Sequence, residues 1–248
     1  MAESIVDALE RAFQDVRDEQ LPLSDRLGFI ANRVRELSTD FATAVDRFVE
    51  QLEAAAAGSA APQVSEPMPG FLLPDDQGHL VSMEKLLEKA PLAIAFHRGH
   101  WCPYCRLNAV GLAEIQDIIA PVQIVAISAE TGQFTRQIKA EAKARFPFLT
   151  DVGNGYALSL NLAVWVPEFM SSMIAGAGWN IPTYQANDGW ILPIPSVFIV
   201  GQDGLIKARH VDPDYRRRME PADIILAAKA VAVALLASAG DSGPVGSA

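Results

Sequence analysis

Leu92-Ala93-Ile94-Ala95-Phe96-His97-Arg98-Gly99-His100-Trp101-Cys102-Pro103-Tyr104-Cys105 is the stretch on which the reading of this sequence turns. It opens with a short apolar run behind Pro91, which predicts a buried strand. Beyond Pro103, the residues Leu107, Val110, Gly111, Ile115 and Ile118 recur at helical spacing, so a helix is expected over 103–118. Proline is tolerated at a helix start, where its missing N–H would have had no partner. The only two cysteines among 248 residues therefore stand three positions apart at a strand-to-helix junction.

That placement implies a chemistry. Unpaired N–H groups at a helix start favour negative charge, so a cysteine there holds its thiolate more easily. Cys102 is the outer one and the candidate nucleophile. Cys105 follows one turn later on about the same face, within reach to close a disulfide. Pro103 stiffens the turn between them. A C-x-x-C beside a βαβ pattern in an intracellular protein marks dithiol redox work. Two plainer readings compete: half of a zinc site, with His97 and His100 nearby, or inert buried thiols. Structural zinc takes a second ligand pair, which the remaining histidines, His79 and His210, do not form. His97 also closes the predicted strand, where it packs or hydrogen-bonds. No metal and no cofactor is expected.

Composition sets the bounds. Half the residues are hydrophobic, enough for a sizeable core, and the net charge is −10. No basic stripe offers a footprint for nucleic acid. Arg216-Arg217-Arg218 reads as a solvated turn in an acidic neighbourhood. The start, Met1-Ala2-Glu3-Ser4, has no basic and apolar pattern of a secretory signal, so a cytoplasmic protein is expected. The Ala, Val and Leu run over 224–239 is shorter than a membrane span and carries Lys229; it reads as a helix packed on a sheet.

On the amino-terminal side, residues 5–20 read as a helix with Ile5, Leu9, Phe13 and Val16 on one face. After Leu21-Pro22-Leu23, with Ser24 as cap, a seam runs through Leu27, Ile30, Val34, Leu37, Phe41, Val45, Phe48 and Leu52. Its spacings of three and four predict one helix of about thirty residues. The seam is expected to be buried on the main domain, on the first helix or against another copy; a homodimer is favoured, with an intramolecular hairpin of helices close behind. The division expected is a helical segment at 1–57, a linker at 58–66, an α/β domain at 67–239 and a flexible tail at 240–248.

Beyond the linker, Asp75-Asp76-Gln77-Gly78 marks a small hairpin, and a short helix is expected near 83–89. Strand 92–97, helix 103–118, strand 122–127 and helix 131–144 alternate as in a parallel crossover. A short strand at 148–151 and a short helix at 155–160 follow. Residues 163–192 hold Trp165, Trp179 and Trp190 and read equally as a lid over a site or as core filler. Ser196-Val197-Phe198-Ile199-Val200 and Leu205-Ile206-Lys207-Ala208 flank Asp203-Gly204, a hairpin signal, and a helix is expected over 221–238.

Taken in order, Trp101-Cys102-Pro103-Tyr104-Cys105 after a buried strand, the second crossover, Phe146-Pro147-Phe148-Leu149-Thr150-Asp151, and Ile194-Pro195-Ser196-Val197-Phe198 with its Asp-Gly hairpin resemble the thioredoxin superfamily. More closely the chain resembles its alkyl hydroperoxide reductase and thiol-specific antioxidant branch, the peroxiredoxin-like proteins, over about 67–238. The resemblance implies a three-layer α/β/α sandwich with a central mixed sheet, here preceded by the helical segment. It implies that Cys102 attacks, that Cys105 stands where thioredoxins keep their second cysteine, and that Pro195 is the cis-proline facing the pair. Trp101, Pro103, Tyr104 and Arg98 would support them. Two family features are missing: the threonine three residues before the attacking cysteine is Gly99 here, and the later arginine finds no match in 192–195. Arg98 is left as the source of positive charge.

The function implied is thiol-dependent reduction of hydrogen peroxide or organic hydroperoxides. Cys102 passes through a sulfenic acid, Cys105 resolves it, and thioredoxin or another dithiol is the reductant. Two other readings stand beside it: thiol-disulfide exchange by the same Cys-Pro-Tyr-Cys pair, and a redox-sensing interaction module.

Overall fold

The strand-to-helix turn sits at the end of the middle strand of a five-stranded mixed sheet. A computed structural model of the protein describes residues 4–240, so the tail expected from residue 240 falls, from 241 on, outside the described residues. Helices α1 (Ile5–Arg17), α2 (Leu23–Leu37) and α3 (Thr39–Ala54) come first. The hairpin β1 (Leu72–Pro74) and β2 (Leu80–Ser82) leads through α4 (Met83–Leu87) into β3 (Leu92–Phe96) and α5 (Pro103–Ile115). Strand β4 (Gln123–Ser128), α6 (Gly132–Glu141), β5 (Phe148–Thr150) and α7 (Gly155–Ser159) follow. The stretch with the tryptophans forms β6 (Ala163–Trp165), α8 (Glu168–Gly176), α9 (Ile181–Gln185) and β7 (Ile191–Pro193). The chain then forms β8 (Ser196–Val200), β9 (Ile206–Val211) and α10 (Pro221–Gly240).

The sheet order is β5-β4-β3-β8-β9. The pairs β3–β4 and β4–β5 are parallel, because a crossover helix joins each pair; β8 and β9 run antiparallel. Alternation along the strands builds two cores. Leu92, Ile94, Phe96, Val125, Ile127, Phe198 and Val200 face α4 and α7. Ala93, Ala95, Ile124, Ala126, Val197 and Ile199 face α5. The small alanines of β3 and β4 let α5 lie close to the sheet, which sets its first turn over the end of β3.

The amino-terminal helices depart from the expected single rod. Ser38 is extended (φ −156°, ψ 103°) and its Oγ accepts from the N–H of Phe41, so it caps α3 and breaks the chain between Leu37 and Thr39. The hydrophobic spacing ran on unbroken because both helices turn the same seam inward. The start of α2 is not capped by Ser24 either; the Glu220 carboxylate accepts from the N–H groups of Leu23 (3.0 Å) and Ser24 (2.7 Å). Leu27, Ile30, Val34, Phe41, Val45 and Phe48 are buried in the same core as α5. The surface that suggested a homodimer is thus used within one chain. Arg26, itself buried, ties α2 to α5 through both oxygens of Glu114 at 3.0 Å. Segment 58–66 runs along β9, with Arg209 donating to the carbonyls of Ala61 and Pro62. Among the described residues no helix is long and apolar enough to cross a membrane.

Candidate active site

Gly99 turns the chain out of β3 with φ 144°, and Cys102 is the extended N-cap of α5. Pro103 begins the helix, and the N–H groups of Cys105 and Arg106 close its first turn on the carbonyl of Cys102. Both sulfurs are deeply covered: Cys102 is 1% exposed and Cys105 0%. The backbone N–H of Arg98 donates to Cys105 Sγ at 3.2 Å, and Nη2 of Arg218 does so at 3.5 Å. Arg98 lays its guanidinium over Tyr215 at 3.8 Å and beside Trp101 at 4.9 Å.

The negative charge therefore settles on the inner sulfur, where the helix-start argument had placed it on the outer one. Burial raises the Cys102 thiol well above its ordinary value, and donating to Cys105 holds its proton more firmly. Burial works against the Cys105 thiolate as well, but the hydrogen bond from Cys102 and the charge of Arg218 outweigh it, so its pKa falls well below the ordinary value. Arg98 gains by the same arrangement: burial opposes its charge, while the sulfur of Cys102, Tyr215 and Cys105 sustain it.

A stability signature follows. The pKa of Cys105 is lower folded than unfolded, so between the two values the unfolded chain binds more protons and stability rises with pH. The gain is complete at the unfolded value near about 8.5 and is lost as pH falls through the folded one. Burial also lowers His97, but that acts below about 6.5. Urea unfolding of the reduced protein from pH 7 to 8.5 is expected to show stability rising by up to about 1.4 kcal/mol per pH unit. The variant with both cysteines replaced by serine should be flat there; a wild-type curve equally flat removes the thiolate from Cys105.

With this geometry in view, the comparisons speak to kinship. The AhpC/TSA family profile matches residues 64–209, more than half of the chain. The chain belongs to the AhpC/TSA family. A comparison with curated proteins finds no match. Among solved structures, the peroxidoxin BcpB of Mycobacterium tuberculosis shares 15% identity at a TM-score of 0.53, covering 68% of this chain and 97% of its own. A cysteine-to-serine mutant of peroxiredoxin 6 of Arenicola marina shares 15% at 0.55, covering 70% and 75%. A yeast mitochondrial 1-Cys peroxiredoxin shares 18% at 0.51, covering 69% and 77%. These likenesses give the fold; family membership makes the chain a peroxiredoxin-like enzyme of the thiol peroxidase class.

Much of what surrounds the sulfurs in this AhpC/TSA member comes from outside the family's matched stretch. A cavity of about 40 Å³ reaches Cys102 but not Cys105. Phe41 and Val45 of α3 line it, as do Met170 and Ile174 of α8, Trp179 and Tyr215. Trp179 packs on Trp101 with ring centroids 5.7 Å apart, which makes stretch 163–192 a cover over the site as well as core. Tyr104 meets Tyr215 edge to face, and burial keeps its phenol protonated.

Other expected roles change. Pro195 is not cis: among the described residues the one cis peptide is Ala120–Pro121. Trans is the lower-energy form of an X–Pro bond, and the N–H of the preceding Ile194 is held by the carbonyl of Leu162. The turn read at 216–218 is not solvated throughout, for Arg218 is buried against Cys105. The two histidines near the pair serve separate ends. His97 packs on Phe148. His100 is gripped by Glu130, whose fully buried carboxylate accepts from the backbone N–H and from the ring Nδ1, each at 2.7 Å. Burial raises the Glu130 pKa, and His100 offsets part of that. Sequence reasoning missed Glu130, Arg218 and Tyr215, which lie 25 or more residues from the cysteines with no spacing to announce them.

Proposed function

We propose that the protein reduces hydrogen peroxide or a small organic hydroperoxide at Cys102, with Cys105 as proton acceptor and then as resolving thiolate. The observation that carries this reading is the cavity: it ends at Cys102, and its volume suits a molecule little larger than water. A peroxide fits there, whereas a disulfide-bearing peptide does not enter without moving Trp179 and α8. Thiol-disulfide exchange as the first step is disfavoured for that reason.

The chemistry balances on the two sulfurs. Cys102 attacks the outer peroxide oxygen, the O–O bond breaks, and the proton of Cys102 leaves, directly or by way of Cys105, on the alkoxide or hydroxide. Cys102 is now a sulfenic acid, and the thiolate of Cys105 displaces hydroxide from it to form the disulfide. An external thiol then returns two electrons. The related yeast protein is described as resolved through glutathione and thioredoxin systems, which supports a thiol of either kind here. Arg98, Tyr104 and Trp101 form the cavity wall at the reacting sulfur, and Pro103 fixes the turn.

Stopped-flow mixing of reduced protein with hydrogen peroxide tests this, read by tryptophan fluorescence because Trp101 adjoins Cys102. A phase that is second order in peroxide and far faster than a free thiol is expected. Oxidation no faster than a free thiol, with rapid exchange against a disulfide substrate, would replace the reading by thiol-disulfide oxidoreductase.

A further inference from the structure

Four of the side chains that close the cavity over Cys102 take no part in the chemistry. Phe41 and Val45 come from α3, Met170 and Ile174 from α8, and each is at most 8% exposed. All four are apolar, so what they contribute there is shape. The helices that carry them are tied to each other and to their surroundings. Arg47 of α3 lays its guanidinium over the ring of Phe169, the neighbour of Met170 in α8, at 4.3 Å. Asp46, next to Val45, accepts from Nη1 of Arg216 at 2.5 Å, and Asp214 holds the same guanidinium at Nε (2.8 Å) and Nη2 (3.0 Å). Inside the cavity wall Phe41 meets Trp179 edge to face, with centroids 6.3 Å apart. A close-packed apolar wall held in this way does not take an added methylene without displacing side chains.

The space left is about 40 Å³, against the roughly 10–15 Å³ that a single water requires. Hydrogen peroxide or methyl hydroperoxide fits it, whereas a tert-butyl or cumyl group requires α3 and α8 to part. Helix α3 lies before the stretch that the family profile matches, so this part of the wall comes from the chain's own amino-terminal segment. We infer that Phe41, Val45, Met170 and Ile174 determine substrate specificity, making the site a size filter. It admits hydrogen peroxide and the smallest alkyl hydroperoxides and rejects branched and aromatic ones. The inference rests on the reading that peroxide reacts at Cys102, and it deepens that reading by assigning the exclusion to named side chains. One methylene in an apolar pocket is worth about 10–200-fold in rate, so a group larger by several carbons loses more than that.

Rate constants for oxidation of the reduced protein by methyl and by cumene hydroperoxide test it, each divided by that of the same oxidant with a free thiol. The quotient is expected to fall at least about a hundredfold from methyl to cumene hydroperoxide. Met170→Ala, which removes most of one wall side chain, should recover about tenfold or more of that loss. Equal wild-type quotients overturn the inference even if every variant misfolds, and so does a folded Met170→Ala protein that keeps the wild-type ratio. A second pair of probes needs no peroxide. Methyl and benzyl methanethiosulfonate each pass a thioalkyl group to the Cys102 sulfur and release methanesulfinate, which intact mass and peptide mapping follow. Relative to a free thiol, the methyl reagent should react at least about a hundredfold faster than the benzyl one, and equal rates overturn the inference. Oxidation by every peroxide no faster than a free thiol would end the peroxidase reading, while the methanethiosulfonate pair would still decide whether these walls filter by size.

Discussion

Replacing Cys105 with serine is expected to lower the pKa of Cys102, to leave its first oxidation working and to abolish the disulfide. Three influences raise the Cys102 thiol: burial, its hydrogen bond to Cys105 and the charge on Cys105. The substitution removes the charge and leaves Arg98 and Arg218 to stabilise whichever sulfur remains. Cys102 then becomes the only anion that can face the two guanidiniums. Peroxide should still oxidise it, the sulfenic acid should persist long enough to be trapped by a carbon nucleophile, and excess peroxide should carry it to sulfinic acid. Cys102→Ser gives the opposite result. Its remaining thiolate lies behind the cavity, so peroxide oxidation should fall on the order of a thousandfold or more, as when an enzyme loses its nucleophile. Rate constants and intact-mass spectra of the two variants check both halves. Equal losses in both would mean that the sulfurs do not divide the work this way, and retained activity in Cys102→Ser would assign the attack to Cys105.

The contrast between the two cysteines shows where sequence reading stopped. Strand β3, the turn and α5 were legible because local rules decide them: a short apolar run, a proline at a helix start, and helical spacing thereafter. The β8–β9 hairpin was legible through Asp203-Gly204 for the same reason. The helix-start rule also speaks to Cys102 and gave it the thiolate. It is silent on Arg218, 113 positions beyond Cys105 in sequence, whose guanidinium reaches the inner sulfur. In sequence Arg218 looks like its neighbours Arg216 and Arg217, and only the loop after β9 separates the buried one from the others. Ser38 failed differently. Its capping potential was visible, but the hydrophobic seam continued in register across it, and periodicity reports which side is buried, not whether the backbone is continuous. The family pattern misled once, at Pro195, because a proline in the right place carries no information about its isomer.

Gly99 explains the missing threonine in physical terms and supplies the second large effect. Its φ of 144° is a conformation that side chains rarely adopt. A Cβ there would lie against the Glu130 carboxylate, 2.5 Å from its Cδ, and 2.8 Å from Cδ1 of Trp101. Glu130 has little room to yield, since it is fully buried and both its oxygens hold His100. Hydrogen bonds to charged groups contribute about 1.5–3 kcal/mol each, and a strained backbone adds about 1–3. Gly99→Ala is therefore expected to destabilise the protein by about 3 kcal/mol or more, measured by urea unfolding. It should also slow peroxide oxidation, because Trp101 and Cys102 follow directly on the displaced turn. Gly204→Ala is the matched comparison: its φ is 76° and a Cβ there meets nothing within 4 Å, so it should lose only the backbone contribution. If the two substitutions cost the same, the grip of Glu130 on His100 does not hold the turn. A larger loss at Gly99, accompanied by altered Trp101 fluorescence, would show that a carboxylate thirty residues from His100 sets the position of the reactive sulfur.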